Sequence, residues 1–195
     1  GGAMGQFSDD PTGGVVNSRG RPHPAEYETW VHEQSWPQLA ARPYIFANWI
    51  WNMFDFSSDI REEGEAIDIN DKGMVSFDRK TRKDAFYYYK SQWSNEPMIH
   101  LNSARYVDRA YSVNDIRAYS SEPTAELTVN GKTIGKAACP QHICVWPNVL
   151  LDRGANHVEV STTVKGQILR DSANWNAPDP HAGLAISVGN IGGLT

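Results

Sequence analysis

The segment Tyr44-Ile-Phe-Ala-Asn-Trp-Ile-Trp51 is an almost unbroken apolar and aromatic run of strand length. A strand that is apolar on both faces has to be covered on both, as happens in a parallel sheet sandwiched by helices. Ahead of it, residues 1–24 are rich in Gly, Pro, Asp and Ser and carry neither helical nor strand period, so they read as an irregular loop. Tyr27, Trp30, Val31, Leu39 and Ala40 then set a helical face over Ala25–Ala41. Pro22 and Pro24 suit its start, and Pro37 is expected to break or kink it near its end. Beyond the apolar run come Asn52–Asp59 and the charged loop Arg61-Glu-Glu-Gly-Glu65, after which Ala85, Phe86, Tyr89 and Trp93 mark a second amphipathic helix over Arg82–Trp93. Loop, helix, buried strand, long loop, helix is the grammar of an α/β barrel, but a (β/α)8 barrel needs eight strands and about 250 residues. Residues 1–96 are therefore expected to be the last βα units of a barrel, on a chain whose Gly-Gly-Ala start reads as a cut end.

From about Met98 the period switches to two. Ala125, Leu127 and Val129 alternate with Glu126 and Thr128, and Val158 and Val160 alternate with His157, Glu159 and Ser161. Val129-Asn-Gly-Lys132 is a hairpin signal, because Asn-Gly supplies the two positive φ angles of a type I′ turn. Short alternating strands with turn residues between them and no helical pattern over about a hundred residues predict an immunoglobulin-like β-sandwich for residues 97–195. The fold class is thus α/β followed by all-β.

Net charge of −5 and a pI near 5.6, without any run of Lys or Arg, give no electrostatic footprint for nucleic acid or an anionic membrane. No stretch has the length and apolarity of a membrane span. The histidines carry no ligand spacing: His23 and His32 lack a third partner, and His142 sits between the two cysteines rather than beside a second pair, so neither a metal nor a cofactor is expected. Cys139 and Cys144 flank Pro140 between two alternating segments, where four intervening residues can close a small disulfide loop. Such a bond implies an oxidising compartment, and a periplasmic or secreted location is expected; two ordinary thiols are the alternative.

Two stretches carry a family resemblance. Trp49-Ile-Trp-Asn-Met-Phe-Asp-Phe56, followed by Ile69-Asn-Asp-Lys-Gly-Met-Val75 and the run to Phe86, resembles the last strand and last helix of the barrel of family 2 glycoside hydrolases, the β-galactosidase/β-glucuronidase group. Thr124 to Trp146, centred on Leu-Thr-Val-Asn-Gly-Lys-Thr-Ile-Gly-Lys136, is similar to the small sandwich domain that follows that barrel. The resemblance implies retaining, exo-acting hydrolysis of a β-glycosidic bond by two carboxylates about 5 Å apart. In the family both come from strands ahead of Tyr44–Trp51, and the nucleophile's Glu-Tyr-Gly stretch would precede Gly1; no such motif occurs here, so no catalytic residue is expected in this chain. Glu62, Glu63 and Glu65 form the acidic cluster of this half, but they share one loop and read as its solvated charges.

The expected contribution to the site is binding. Trp51 ends the strand-like run, where barrels carry their sites, and its indole matches the family's platform for a sugar ring. Asn70 and Lys72 place an amide and an ammonium on one short loop, a pair that in the family marks recognition of a C6 carboxylate, although a plain turn would favour the same residues. Asp55 and Asp59 can reach hydroxyls, or else orient Arg61 and cap the loop. The leading expectation is the C-terminal part of a β-galactosidase, with a β-glucuronidase, or a non-catalytic carbohydrate-binding or structural module, as alternatives. Trp146 and Trp175 are the aromatics such a module would present. Expected partners are a carbohydrate substrate, the remainder of the parent barrel and a possible second copy of the chain, with neither nucleic acid nor membrane among them.

Overall fold

The computed structural model describes residues 2–10, 12, 24–63 and 66–179, with only the backbone described at Glu62 and Glu63. The elements in chain order are α1 (Ala25–Ala40), β1 (Phe56–Glu63), β2 (Ala66–Asn70), α2 (Asp84–Trp93), β3 (Ile99–Leu101), β4 (Val113–Ser120), β5 (Thr124–Val129), β6 (Lys132–Ala138), β7 (Ile143–Leu150), β8 (Gly154–Val164) and β9 (Gln167–Ala177).

The alternating part of the chain folds as a β-sandwich. A three-stranded sheet, β3-β4-β7, faces a four-stranded sheet, β6-β5-β8-β9, with every pairing antiparallel. Inward residues follow the period of two: Ala125, Leu127 and Val129 of β5 and Val158 and Val160 of β8 are buried together with Leu101, Ile116, Cys144, Trp146 and Trp175 in one core. Asn130 and Gly131 take φ of 51° and 77° between paired Val129 and Lys132, the left-handed backbone that Asn-Gly tolerates. The end of β6 is tied to the start of β7 by a disulfide between Cys139 and Cys144. Trp146 and Trp175 both lie in the core, so neither offers a surface aromatic for carbohydrate.

At the end of β4 the alternation stops, and Ala118, Tyr119 and Ser120 are all buried. The cause is α2, which roofs the outer face there: Tyr88 packs on Tyr119 with ring centroids 5.5 Å apart, in a second cluster with Met74, Ala85, Tyr89 and Met98. Two polar clamps fix the helices to the sheets. The Glu33 carboxylate of α1 accepts the Tyr119 hydroxyl at 2.5 Å and pairs with Arg117. His100 of β3 lies 3.0 Å from Asp84 at the start of α2 and 3.1 Å from Asp171 of β9, with its ring stacked 3.7 Å from Tyr87.

The first half departs from expectation in three places. Residues 44–51 form no ladder with any described strand, and they are not buried: Phe46 is 96% exposed and Trp49 84%. A strand apolar on both faces needs hydrogen-bonding neighbours on both edges, and the described residues supply none. The segment after Trp51, expected to be a long loop, is an antiparallel hairpin, in which Phe56 pairs with Asn70 and Glu63 with Ala66. Glu62 and Glu63 close β1, while Glu65 falls outside the described residues. Lastly, α1 runs through Pro37 to Ala40, and it buries Ala25, Glu28, Thr29 and Glu33 rather than the face of Tyr27 and Trp30. Its inward carboxylates meet partners, Lys83 for Glu28 and Arg117 for Glu33, so polarity was a poor guide to which side faces in.

Candidate substrate-binding face

The Trp51 neighbourhood is built by two short segments that run side by side. After Trp51 the chain follows residues 72–75 in parallel: Asn52 N–H donates to the Lys72 carbonyl at 3.3 Å, Met74 N–H to Asn52 at 3.1 Å and Asp55 N–H to Val75 at 2.9 Å. The β1–β2 hairpin is the excursion between them, so residues some twenty positions apart in sequence meet. Gly73 is required where they cross, since a Cβ there would stand 2.0 Å from the Asp55 nitrogen and 2.1 Å from the Phe54 carbonyl carbon. At the end of β2 the Asn70 side-chain oxygen accepts the Lys72 N–H at 3.1 Å, a local turn that fixes the amide and the Lys72 backbone relative to each other.

Trp51, Asn70 and Lys72 are thus brought together, with different exposure. The Trp51 indole is 69% exposed, its edge against Phe56 at 5.9 Å, and the Trp51–Asn52 peptide is cis. Lys72 is half-buried and Asn70 buried. Asp55, expected to reach substrate, does not. It is buried beneath the crossing, where its carboxylate accepts the Gly73 N–H at 2.9 Å and the Lys83 ammonium at 2.9 Å. Asp59 lies exposed on β1.

Lys83 and Glu28 are the buried groups that sequence reasoning missed. The Lys83 ammonium also donates to the Asp71 carbonyl at 2.9 Å and stands 3.7 Å from Glu28. Burial pushes the Glu28 carboxyl up to about 8 and raises Asp55 above the usual carboxylate range, with Lys83 opposing both. This cluster ties α1, the crossing and the residue ahead of α2 into one floor under the Asn70 turn. Nothing in the spacing of Glu28, Asp55 and Lys83 signals that they meet, because the contact is made by the crossing and not by any single element. His32 donates to or accepts from the Tyr89 hydroxyl at 3.0 Å, and burial holds its pKa down at about 4, so it is neutral. His23 lies outside the described residues, and among those described no group of three His, Cys, Asp or Glu side chains could hold a metal ion.

The exposed element of this face is the Trp51 indole; the Asn70 amide is buried and Lys72 is half-buried on the same turn, residue types that can bind and orient a polyhydroxylated or carboxylate-bearing ligand. The carboxylates nearest the crossing, Asp55 and Asp71, are both buried, and Asp55 is ion-paired with Lys83, so it is not available to attack a ligand or protonate a leaving group.

No protein-family model matches the chain. A β-glucuronidase of Bacteroides fragilis is 43% identical over 145 residues, which cover 73% of this chain and 21% of that protein. A candidate β-glucuronidase of Formosa agariphila is 39% identical over 118 residues, or 58% of this chain and 14% of its own length. Among solved structures, a candidate β-galactosidase of Bacteroides fragilis superposes with a TM-score of 0.82 at 30% identity, covering 91% of this chain and 26% of that one. An FMN-binding β-glucuronidase of Faecalibacterium prausnitzii superposes with a TM-score of 0.75 at 32% identity, covering 90% and 25%. The chain therefore spans about a fifth of the length of the first of these relatives.

Proposed function

Because the chain belongs to the family 2 glycoside hydrolases of the β-glucuronidase and β-galactosidase group, we propose that it is the C-terminal part of a retaining, exo-acting β-glycosidase, and that its Trp51–Asn70–Lys72 face contributes to binding a terminal β-glucuronide. The observation that carries this reading is the Asn70 turn, which holds an amide and the Lys72 backbone together beside the exposed Trp51 indole. A lysine on the short turn that carries the amide suits a sugar bearing a carboxylate better than one bearing a hydroxymethyl group. Both curated relatives carry glucuronidase names, which supports the same choice over the galactoside expected from sequence. The exposed aromatic run at residues 44–51 is read as a barrel strand whose neighbours, together with both catalytic carboxylates, belong to the rest of the enzyme. The Cys139–Cys144 disulfide supports an oxidising compartment, periplasmic or extracellular.

The test compares nitrophenyl β-D-glucuronide and β-D-galactoside as substrates for the full-length enzyme that carries this sequence. Lys72→Ala is expected to lower kcat/KM for the glucuronide by about 30-fold to 100-fold, the value of one hydrogen bond to a charged group, and to leave any galactoside turnover within about twofold. Equal losses on both substrates would refute a carboxylate-reading role.

A further inference from the structure

We propose that Lys83 is a positioning residue for the candidate face: its ammonium clamps the backbone on either side of Lys72 and so fixes where Lys72 meets a sugar carboxylate. The inference rests on the glucuronide reading above and adds to it the residue that makes that reading selective. Lys83 is 1% exposed and lies immediately ahead of α2. A bridge between Val75 and Arg82 turns the chain back on itself, so Lys83 returns to the turn that it follows. There its backbone N–H donates to the Met74 carbonyl at 2.9 Å, and its ammonium donates to the Asp71 carbonyl at 2.9 Å. The same ammonium lies 2.9 Å from Asp55 Oδ1, which also accepts the Gly73 N–H at 2.9 Å. Asp71, Gly73 and Met74 are thus held by Lys83 and its carboxylate partner, with Lys72 between the first two.

Two observations separate this clamp from an ion pair that merely fills the interior. Desolvating an ammonium is costly, and a buried pair is commonly no more stabilising than apolar side chains of the same volume. What an apolar side chain cannot do is hold a carbonyl and a carboxylate-bound amide in place, and the two groups held here flank Lys72. The second observation is what else is tied to the clamped segment. The Lys72 carbonyl accepts the Asn52 N–H at 3.3 Å, and the Met53 carbonyl accepts the Val75 N–H at 3.0 Å, so the residues that follow Trp51 are fixed to the same turn. Asn70 joins it from the other side, its side-chain oxygen accepting the Lys72 N–H at 3.1 Å. Releasing Asp71 and Gly73 would therefore move Lys72 relative to Trp51, and a misplacement of about 1 Å is enough to forfeit most of a positioned contact. A galactoside, with no carboxylate for Lys72 to meet, should be far less sensitive to that movement.

The test uses the full-length enzyme that carries this sequence, with nitrophenyl β-D-glucuronide and β-D-galactoside as substrates. Lys83→Met alone would strand the Asp55 carboxylate in the interior, so it is combined with Asp55→Asn, whose amide oxygen can still accept the Gly73 N–H. Glu28, 3.7 Å from the ammonium, has its carboxyl pushed up to about 8 by burial, so it carries a proton at neutral pH and tolerates loss of the Lys83 charge. The double variant should melt cooperatively and raise KM for the glucuronide about tenfold, short of the loss expected on removing the Lys72 ammonium itself. The glucuronide kcat and the galactoside kcat/KM should stay within about threefold. Asp55→Asn alone loosens the clamp without removing it and should raise the glucuronide KM about threefold in the same selective way, which reports on the clamp should the double variant fail to fold. Added to Lys72→Ala, the clamp variant should cost the glucuronide nothing further, because the group it positions is gone, whereas a role in stability alone would add its full loss. Equal losses on the two substrates, an unchanged glucuronide KM, or losses that add to those of Lys72→Ala would each overturn the proposal. If Lys72→Ala itself does not discriminate the substrates, the glucuronide reading falls and takes this inference with it; a selective Lys72→Ala beside an unselective clamp variant refutes the positioning role alone.

Discussion

His100 should make the stability of this chain fall on the alkaline side of neutrality. The imidazole is buried between Asp84 of α2 and Asp171 of β9, with Tyr87 stacked on it and Tyr119 beyond at 6.5 Å. Burial alone would lower its pKa, but the two carboxylates outweigh burial and raise it from an ordinary 6.5 to about 9. A folded-state pKa above the unfolded value means that the protonated ring stabilises the fold fully below pH 6.5, and that this contribution is lost as pH rises through about 9. At about 1.4 kcal/mol per unit, the loss across that window is about 3 kcal/mol, or a fall in Tm of roughly 6–12 °C for a chain of this size. Asp84 and Asp171, both held below the usual carboxylate range by His100 against their burial, stay ionised throughout the window and add no slope there. Urea unfolding of the wild-type chain and of His100→Gln, repeated from pH 6 to pH 9.5, measures the effect. The variant should be weaker at pH 6 and the two should converge by pH 9.5. A stability difference that stays constant across this range would show that the ring is not held as a cation, and the reasoning would fail.

The chain by itself should not hydrolyse nitrophenyl β-D-glucuronide or β-D-galactoside, because the described residues of the candidate face include no nucleophile and acid pair; turnover by the purified chain that Glu62→Gln abolishes would contradict this. Residues 97–195 alone should unfold cooperatively as a monomer, since the sandwich core is drawn wholly from Leu101 to Ala177. Residues 1–95 alone should aggregate or stay molten, their aromatics at Phe46, Trp49 and Trp51 having no cover; a sharp thermal transition with monomeric light scattering from residues 1–95 would refute the reading of this half as a part of a larger barrel.

The difference between the two halves lies in how far each element depends on others to be recognised. In the sandwich, each strand meets its neighbours within this chain, so the period of two in Ala125–Val129 and Val158–Val160 and the Asn130-Gly131 turn were enough to mark β5, β8, the β5–β6 turn and the inward residues of those two strands. In the first half the same local reading identified two helices but misassigned what α1 faces. Tyr44–Trp51 has the composition of a buried strand and lies exposed, since burial is a property of its neighbours and not of its own residues. In α1, hydrophobicity pointed to Tyr27 and Trp30, yet Glu28 and Glu33 are the buried residues, because Lys83, Arg117 and Tyr119 reach them from α2's approach and from β4. The candidate site divides on the same line. The proximity of Asn70 and Lys72 was legible because a turn two residues long makes it. The floor of Glu28, Asp55 and Lys83 was not, since it depends on the crossing at Gly73 that joins residues 52–55 to 72–75.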